Sequence, residues 1–356
     1  MFISHIISDE PRGGDLDKPD PRARPPEALK TVYKKYQTIK GSSLDSESDI
    51  FDASSGNYAG FEVRPAASAG TRMPDELVEV VARFLQDYAP ADPSPAPSCY
   101  EHPHLPGLLV FSNLLSAPVQ IALLDRLLHR DVSNPLHLNN LGLHYHVPNP
   151  TDSTSRPLSF FSPAASDLRL TPIDPSQHKP LTVKDLLDRK LRWITLGGQY
   201  DWTAKAYPSD VPPPFPPDIA DLIHGVFPAI KPEAAILNLY NPGHTLSLHR
   251  DVSEECQRPL VSISLGCDGL FIAGLSSEDE GQTRMATMRL RSGDVVVMSG
   301  EARYAWHGVP KVLSGTCPDW LEDWPSIDGE RGGEYKAWKG WMKGKRINLN
   351  VRQMRD

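Results

Sequence analysis

Cysteine is scarce in this 356-residue sequence and follows no pattern. Cys99, Cys256, Cys267 and Cys317 make no C-x-x-C pair, so neither a zinc ribbon nor a disulfide framework is indicated, and free thiols in a reducing compartment are expected. Long hydrophobic runs are absent as well: nowhere do about 18 apolar residues follow one another, and no membrane span is expected. The opening MFISHIIS is apolar but short, and it continues into DEPRGGDLDKPD without a basic start or a small-residue cleavage site, so no secretion signal is expected. An intracellular setting follows, with nucleus, cytoplasm and mitochondrion all open. Nor is there an excess of positive charge. The net charge of -8 argues against non-specific nucleic-acid binding by the molecule as a whole, although a local basic patch stays possible. No internal repeat is visible, and a monomer is expected.

What is present is a core with much irregular chain around it: 39% hydrophobic residues together with 35 prolines. Residues 1–25 and 41–72 are rich in Pro, Gly, Ser and Asp and are expected to be ordered only in part. Between them PPEALKTVYKKYQTIK carries Leu29, Val32, Tyr33 and Tyr36 at helical spacing, which predicts an amphipathic helix at about 26–40. A second helix is predicted over 73–88, opened by Pro74 and two acids. Residues 108–111 read as a strand and 117–129 as a helix with Ser116 as its cap. From Arg192 onward the pattern changes to short strands: RWITL, AAILNLY, LSLHR, LVSISLG, GLFIAG, MATMRLR, DVVVMSG and RINLNVR. Many short strands with Gly, Pro and Asp turns predict an antiparallel sandwich or jelly roll with helices packed on one side.

Two strands carry chemistry. In LSLHRDVSEE, strand alternation sends His249 and Asp251 to one face and Arg250 to the other. A lone H-x-D is more often an ordinary surface pair, and it gains meaning from His307 in SGEARYAWHGVP. Two histidines and one carboxylate make the facial triad that leaves three positions of an octahedral Fe(II) open, whereas a zinc site is usually tetrahedral with one open position. RINLNVR then places Arg346, Asn348, Asn350 and Arg352 on alternate positions. Such a face suits a polar pocket and not a packed core. Arginine is the side chain fitted to clamp a carboxylate, so a dicarboxylate co-substrate is expected beside the iron.

With NLYNPGHTLSLHRD, RPLVSISLG, SGDVVVMSGEARYAWHG and RINLNVRQ in this order, the sequence resembles the AlkB family of Fe(II)/2-oxoglutarate dioxygenases. RWITLGGQYDWTAKAYP further resembles the branch typified by mammalian AlkB homologue 1. The resemblance is greatest over 192–310 and 345–355. It implies an α+β chain with a double-stranded β-helix (jelly-roll) core, helices packed on one sheet and an N-terminal helical extension. It is weaker from about 100 and absent from the start, and the chain is expected to divide into a partly disordered extension at 1–72, a helical and loop-rich region at 73–191, and a core at 192–356 with a lid at about 193–217 and an insertion at about 311–345. His249, Asp251 and His307 would bind Fe(II), and Arg346 would pair with the distal carboxylate of 2-oxoglutarate. Arg352, Asn238 and Tyr240 would complete that pocket; Asn348 would join them or pair with a neighbour. Met298, Ala302 and Ser253 depart from the bacterial pattern, which has Trp, Ser and an acid in their places.

The implied activity is 2-oxoglutarate- and O2-dependent demethylation or hydroxylation of a modified base in tRNA or DNA, with methyladenine and methylcytosine as candidates. A histone or protein demethylase or hydroxylase using the same iron chemistry is an alternative, and so is a nucleic-acid-binding module with incidental oxidation. For the substrate, Trp193, Tyr200 and Trp202 of the lid are candidates to sandwich a base removed from its stack, or else core residues. In EYKAWKGWMKGKR the lysines, among them Lys339, Lys343 and Lys345, alternate with Tyr335, Trp338 and Trp341. That pattern is a candidate phosphate-binding surface, diluted by the acidic CPDWLEDWPSIDGE before it. Lys30, Lys34, Lys35 and Lys40 of the first helix are open to the same reading.

Overall fold

Alternate residues of RINLNVR part company in the folded chain. Ile347, Leu349 and Val351 are fully buried in the main hydrophobic cluster, while Arg346, Asn348, Asn350 and Arg352 occupy the opposite face. The computed structural model describes residues 19–65, 70–72, 74–86, 88, 98–208, 211–276, 283–327 and 333–356. The Pro- and Gly-rich start up to residue 18, positions 66–69 of the second such stretch, and the last residues of the acidic segment, 328–330, lie outside the described residues.

In chain order the early strands are β1 (Ile50–Phe51), β2 (Glu62–Arg64), β3 (Ser98–Glu101), β4 (Leu108–Ser112), β5 (Tyr145–His146), β6 (Arg169–Pro172), β7 (Leu181–Thr182) and β8 (Trp193–Gly197). They are followed by β9 (Ala234–Tyr240), β10 (Leu246–His249), β11 (Leu260–Gly266), β12 (Gly269–Ser276), β13 (Thr283–Leu290), β14 (Val295–Met298), β15 (Trp306–Val312) and β16 (Arg346–Arg352). The larger sheet runs β2-β3-β4-β14-β11-β16-β9-β8 and the smaller β1-β13-β12-β15-β10. Apart from the parallel β1–β13 pair, both sheets are antiparallel. A third, short sheet β5-β6-β7 lies in the loop-rich region. Side chains from both main sheets, such as Val261 and Ile347 on one and Met288 and Val309 on the other, join one hydrophobic cluster.

The helices are α1 (Glu27–Thr38), α2 (Pro74–Phe84), α3 (Ala117–Leu124), α4 (Val183–Asp185), α5 (Pro217–Val226) and α6 (Asp319–Glu322). Among the described residues no helix is long and apolar enough to cross a membrane. The four cysteines are buried free thiols, as expected. In α1 the predicted apolar stripe buries Leu29 and Tyr36 against Leu270, Ile272 and Trp306 of the smaller sheet. Residues 41–65, expected to be irregular in part, supply a strand to each main sheet, and Asp52 holds Arg291 at 2.7 Å. Ser116 does stand at the N-cap of α3, yet its hydroxyl makes no cap bond and is buried without a partner. The helix also runs on past the predicted end through a π-helical turn to Asp131.

The region between His307 and Arg346 packs inward. Trp324 is fully buried, donates its indole N–H to Asp125 Oδ1 at 2.7 Å and meets the ring of Phe161 edge-on. Trp324→Ala is therefore expected to lower the unfolding free energy by about 3–5 kcal/mol. Trp320→Ala, at a side chain 40% exposed, should change it by no more than about 0.5 kcal/mol. Urea unfolding of the two variants checks the contrast.

Candidate metal and dicarboxylate site

His249 is the last residue of β10 and His307 the second of β15, and the antiparallel register sets them directly opposite each other. Cross-strand neighbours of this kind are close enough to interact, and the two ring centroids are 4.3 Å apart. Asp251 reaches the pair differently from the expectation. The strand ends at His249, so simple alternation does not place the carboxylate. Two arginines do: Arg303 donates to the Asp251 carbonyl at 2.7 Å, and Arg352 donates to its carboxylate at 2.5 Å. Asp251 Oδ1 then lies 3.8 Å from His249 Nε2, and one ligand atom from each of the three residues falls within 4.8 Å of the others.

The donor set suits a divalent metal. His249 Nδ1 lies 2.9 Å from the Ser247 carbonyl and His307 Nδ1 3.0 Å from the Ala305 carbonyl. A carbonyl can only accept, so each Nδ1 carries the proton and each Nε2 keeps its lone pair. Burial, aided by His249, pushes the His307 pKa down to about 4, keeping that imidazole neutral at physiological pH. Burial works against the Asp251 carboxylate, but Arg352, with smaller contributions from the two histidines, outweighs it and holds the pKa well below the usual range.

A second group of polar side chains lies on the same sheet face as the Arg346 row. Register pairs Arg346 with Tyr240, and Asn348 with Asn238, which in turn faces Trp193. Arg346 is fully buried, donates to Ser264 Oγ at 2.9 Å, and has no carboxylate within 4.0 Å among the described residues. Its Nε and the Tyr240 hydroxyl have no hydrogen-bond partner. Gly269 leaves the room this guanidinium needs, since a Cβ there would come within 2.6 Å of Nε. A buried cation without a counter-ion is costly, and a carboxylate ligand would satisfy both orphaned donors. Asn348 spends its amide nitrogen on Ser262 Oγ and the Ile263 carbonyl, the neighbour-pairing alternative. Arg352 binds Asp251 and Glu254 within the protein.

The lid residues lie in a connected row. Trp193, half-buried, contacts Trp202 at 5.1 Å, Trp202 contacts Tyr200 at 4.8 Å, and Tyr200 contacts Tyr207 at 5.3 Å. Trp202 is partly exposed. Ser253, in place of an acid, donates to the Lys205 carbonyl at 3.1 Å.

The basic segment is arranged differently from the expectation. Trp338 and Trp341 turn inward onto Phe161, with centroids 5.1 and 5.0 Å away, and Trp338 donates to the Phe161 carbonyl. Lys339 pairs with Asp323 at 3.4 Å and Lys343 with Glu322 at 3.0 Å, so the acidic half of the segment lies against them while both lysines stay exposed. Lys345 is buried and donates to Leu187 O, Asp188 O and Asn241 Oδ1. An ammonium has three donors, and all three are used, which leaves none for a phosphate. On α1, Lys30 and Lys35 pair with acids while Lys34 is exposed, as is Lys40 just past the end of the helix. Glu254 and Arg303 are both buried and paired at 2.9 Å; one of two adjacent glutamates in SEE and a lone Arg in EARY carry no signal until the fold joins them.

The 2OG-Fe(II) oxygenase superfamily profile matches residues 107–352. The N6-methyladenosine RNA demethylase ALKB1 of Pyricularia oryzae is 46% identical over 96% of this chain and 99% of its own length. The N6-methyladenosine RNA demethylase ALKBH of Cryphonectria parasitica is 55% identical over 60% of this chain and 99% of its own. The tRNA demethylase abh1 of Schizosaccharomyces pombe is 39% identical over 73% and 82% respectively.

Mn(II), a redox-silent stand-in under these conditions, is expected to bind the wild-type chain and to be lost, with at least about a tenfold weaker Kd, in Asp251→Ala and His307→Ala. Electron paramagnetic resonance titration measures this directly. Equal affinity in the Asp251 variant would place the metal elsewhere.

Proposed function

The chain belongs to the 2OG-Fe(II) oxygenase superfamily, in the AlkB homologue 1 branch, and from that premise we propose that it oxidatively removes an N-methyl group from an adenine base in RNA or DNA. The observation that carries the reading is the adjacency of two sites. Arg352 of β16 holds Asp251 of the His-Asp-His triad, Arg346 on the same face of that strand has no carboxylate within 4.0 Å among the described residues, and the lid row of aromatic rings begins on that sheet face. The relatives described above are named for action on RNA or tRNA.

Fe(II) held with 2-oxoglutarate supplies the oxidising power, coupling the conversion of 2-oxoglutarate and O2 to succinate and CO2 with hydroxylation of a methyl C–H bond. His249, Asp251 and His307 would hold the metal through two neutral imidazoles and one carboxylate. Arg346 and Tyr240 would take the distal carboxylate of the co-substrate, with Arg352, Asn238 and Asn348 lining the pocket. Trp193, Tyr200 and Trp202 would stack on the base and keep water away from it. A hydroxymethyl group on the base nitrogen then leaves as formaldehyde, restoring the N–H. In this reading the two main sheets form the double-stranded β-helix, and 192–356 is the catalytic core completed by β2–β4 from the preceding chain. Lys345 is left out of the substrate surface because it is buried with its three donors used, whereas Lys339 and Lys343 are exposed and would reach a phosphate backbone by exchanging their surface partners.

The test offers the Fe(II)- and 2-oxoglutarate-loaded protein RNA and DNA oligonucleotides carrying N6-methyladenine, and a methyl-lysine histone peptide, with nucleosides and peptides read by mass spectrometry. Demethylated adenine is expected with formaldehyde; product from the peptide alone would overturn the reading. Arg346→Ala should raise the 2-oxoglutarate concentration for half-maximal rate by about 10- to 150-fold, equivalent to about 1.5–3 kcal/mol for a charge-assisted pair. Arg346→Lys should recover part of it, since one ammonium cannot reproduce a two-pronged contact. Superimposable co-substrate titrations would assign the pocket to another residue.

A further inference from the structure

The lid and the Asp251 carboxylate are joined through one hydroxyl and one guanidinium. Tyr207 closes the aromatic row from its far end, and its phenolic oxygen accepts a hydrogen bond from Arg352 Nη1 at 3.2 Å. The same guanidinium donates through Nη2 to Asp251 Oδ2 and pairs through Nε with Glu254 Oε1 at 3.3 Å. Glu254 in turn holds Arg303, which bonds the Asp251 carbonyl. Asp251 is thus gripped at its side chain by one arginine and at its main chain by the other, and Glu254 links the two.

From the other direction the chain of ring contacts runs Trp193, Trp202, Tyr200, Tyr207, at 5.1, 4.8 and 5.3 Å. A base pressed against the outer rings would load the inner one, and the inner one carries the hydroxyl on Arg352. Burial pushes the Tyr207 phenol up to about 12, so it stays a neutral acceptor at any working pH. The Tyr200 hydroxyl, by contrast, faces Ser253 Oγ at 3.4 Å and does not touch the arginines.

We infer that Tyr207 is a positioning residue: its hydroxyl orients Arg352, Arg352 orients the Asp251 carboxylate, and engagement of a base by the lid is thereby passed to the metal ligand. The inference rests on the nucleic-acid reading for what the lid binds, but the link from Tyr207 to Asp251 stands on the hydrogen bonds alone. Loss of the hydroxyl leaves a buried charged donor without its acceptor. Partners one step removed from a metal ligand, the place of Arg352 here, typically change metal affinity or activity about 10- to 100-fold when mutated, and Tyr207, one step further out, is expected at the low end of that range.

The experiment compares Tyr207→Phe with Tyr200→Phe in the full chain, each nearly isosteric, with melting temperatures measured alongside. Three quantities are read: Mn(II) affinity without nucleic acid, affinity of the Mn(II)-loaded protein for an N6-methyladenine RNA oligonucleotide, and moles of succinate released per mole of base demethylated with Fe(II). Tyr207→Phe is expected to weaken Mn(II) binding about tenfold and to raise succinate per demethylation several-fold, with RNA affinity kept within about twofold. Tyr200→Phe should leave Mn(II) affinity at the wild-type value. Wild-type Mn(II) affinity and coupling in Tyr207→Phe would overturn the inference, as would equal Mn(II) losses in both variants, which would mean general loosening of the lid. A fall in RNA affinity alone would also overturn it, making Tyr207 a plain lid contact. If the wild-type protein demethylates no oligonucleotide, the functional reading fails while the Mn(II) comparison still decides the link from Tyr207 to Asp251.

Discussion

Arg352 and Arg303, two acids between them, form the buried charge cluster on which the candidate site depends. Asp251 and Glu254 answer the two guanidiniums one for one, so the cluster is close to neutral although its members lie deep in the protein. A buried ion pair contributes little net stability by itself, yet removing one partner leaves an uncompensated charge and is strongly destabilising. The cluster therefore tolerates few alternatives, and what it specifies is geometry: the place of the Asp251 carboxylate beyond the end of its strand.

Arg346 shows the opposite arrangement a few residues away on the same strand. Among the described residues no carboxylate lies within 4.0 Å of it, and burial lowers its pKa from the ordinary value against the weaker opposing pull of Tyr240, Asp268 and Asp294, the direction expected when a cation is taken out of water without a contacting counter-ion. Two arginines on one strand face thus have different roles because one is matched by the protein and the other is unmatched. The matched one holds the Asp251 carboxylate; the unmatched one, with Tyr240, leaves two donors open to an anion from solution, the part proposed for 2-oxoglutarate.

The segment between His307 and Arg346 shows what composition leaves open. Alternating lysines and aromatics look alike whether they face a phosphate backbone or their own fold. Here the aromatics fill a gap around Phe161, and the acids upstream of the lysines lie against them. The acidic half and the basic half of the segment are partners, a relation that depends on the chain folding back and that has no local signature.

Much of the architecture was legible in the sequence because it rests on short-range periodicity. The strands from Trp193 to Arg352 and the amphipathic α1 are where alternation and helical spacing place them, and the facing of Arg346 with Asn348 and Arg352 follows from the period of two. The His-Asp-His set was also legible, since residue type and order carry its chemistry. Other features were not. Ser116 meets the residue preference for a cap without making the bond, since propensity records what a side chain can do, not where its neighbours leave it room. Asp251 leaves its strand, Lys345 turns inward to three oxygen acceptors, and Glu254 and Tyr207 meet at the Arg352 guanidinium while Glu254 also holds Arg303. The sequence by itself determined which faces are polar and which residues are able to hold a metal. Only the tertiary structure decided which charges are neutralised from within and which are left for a ligand, because charge pairing depends on distances between segments far apart in the chain.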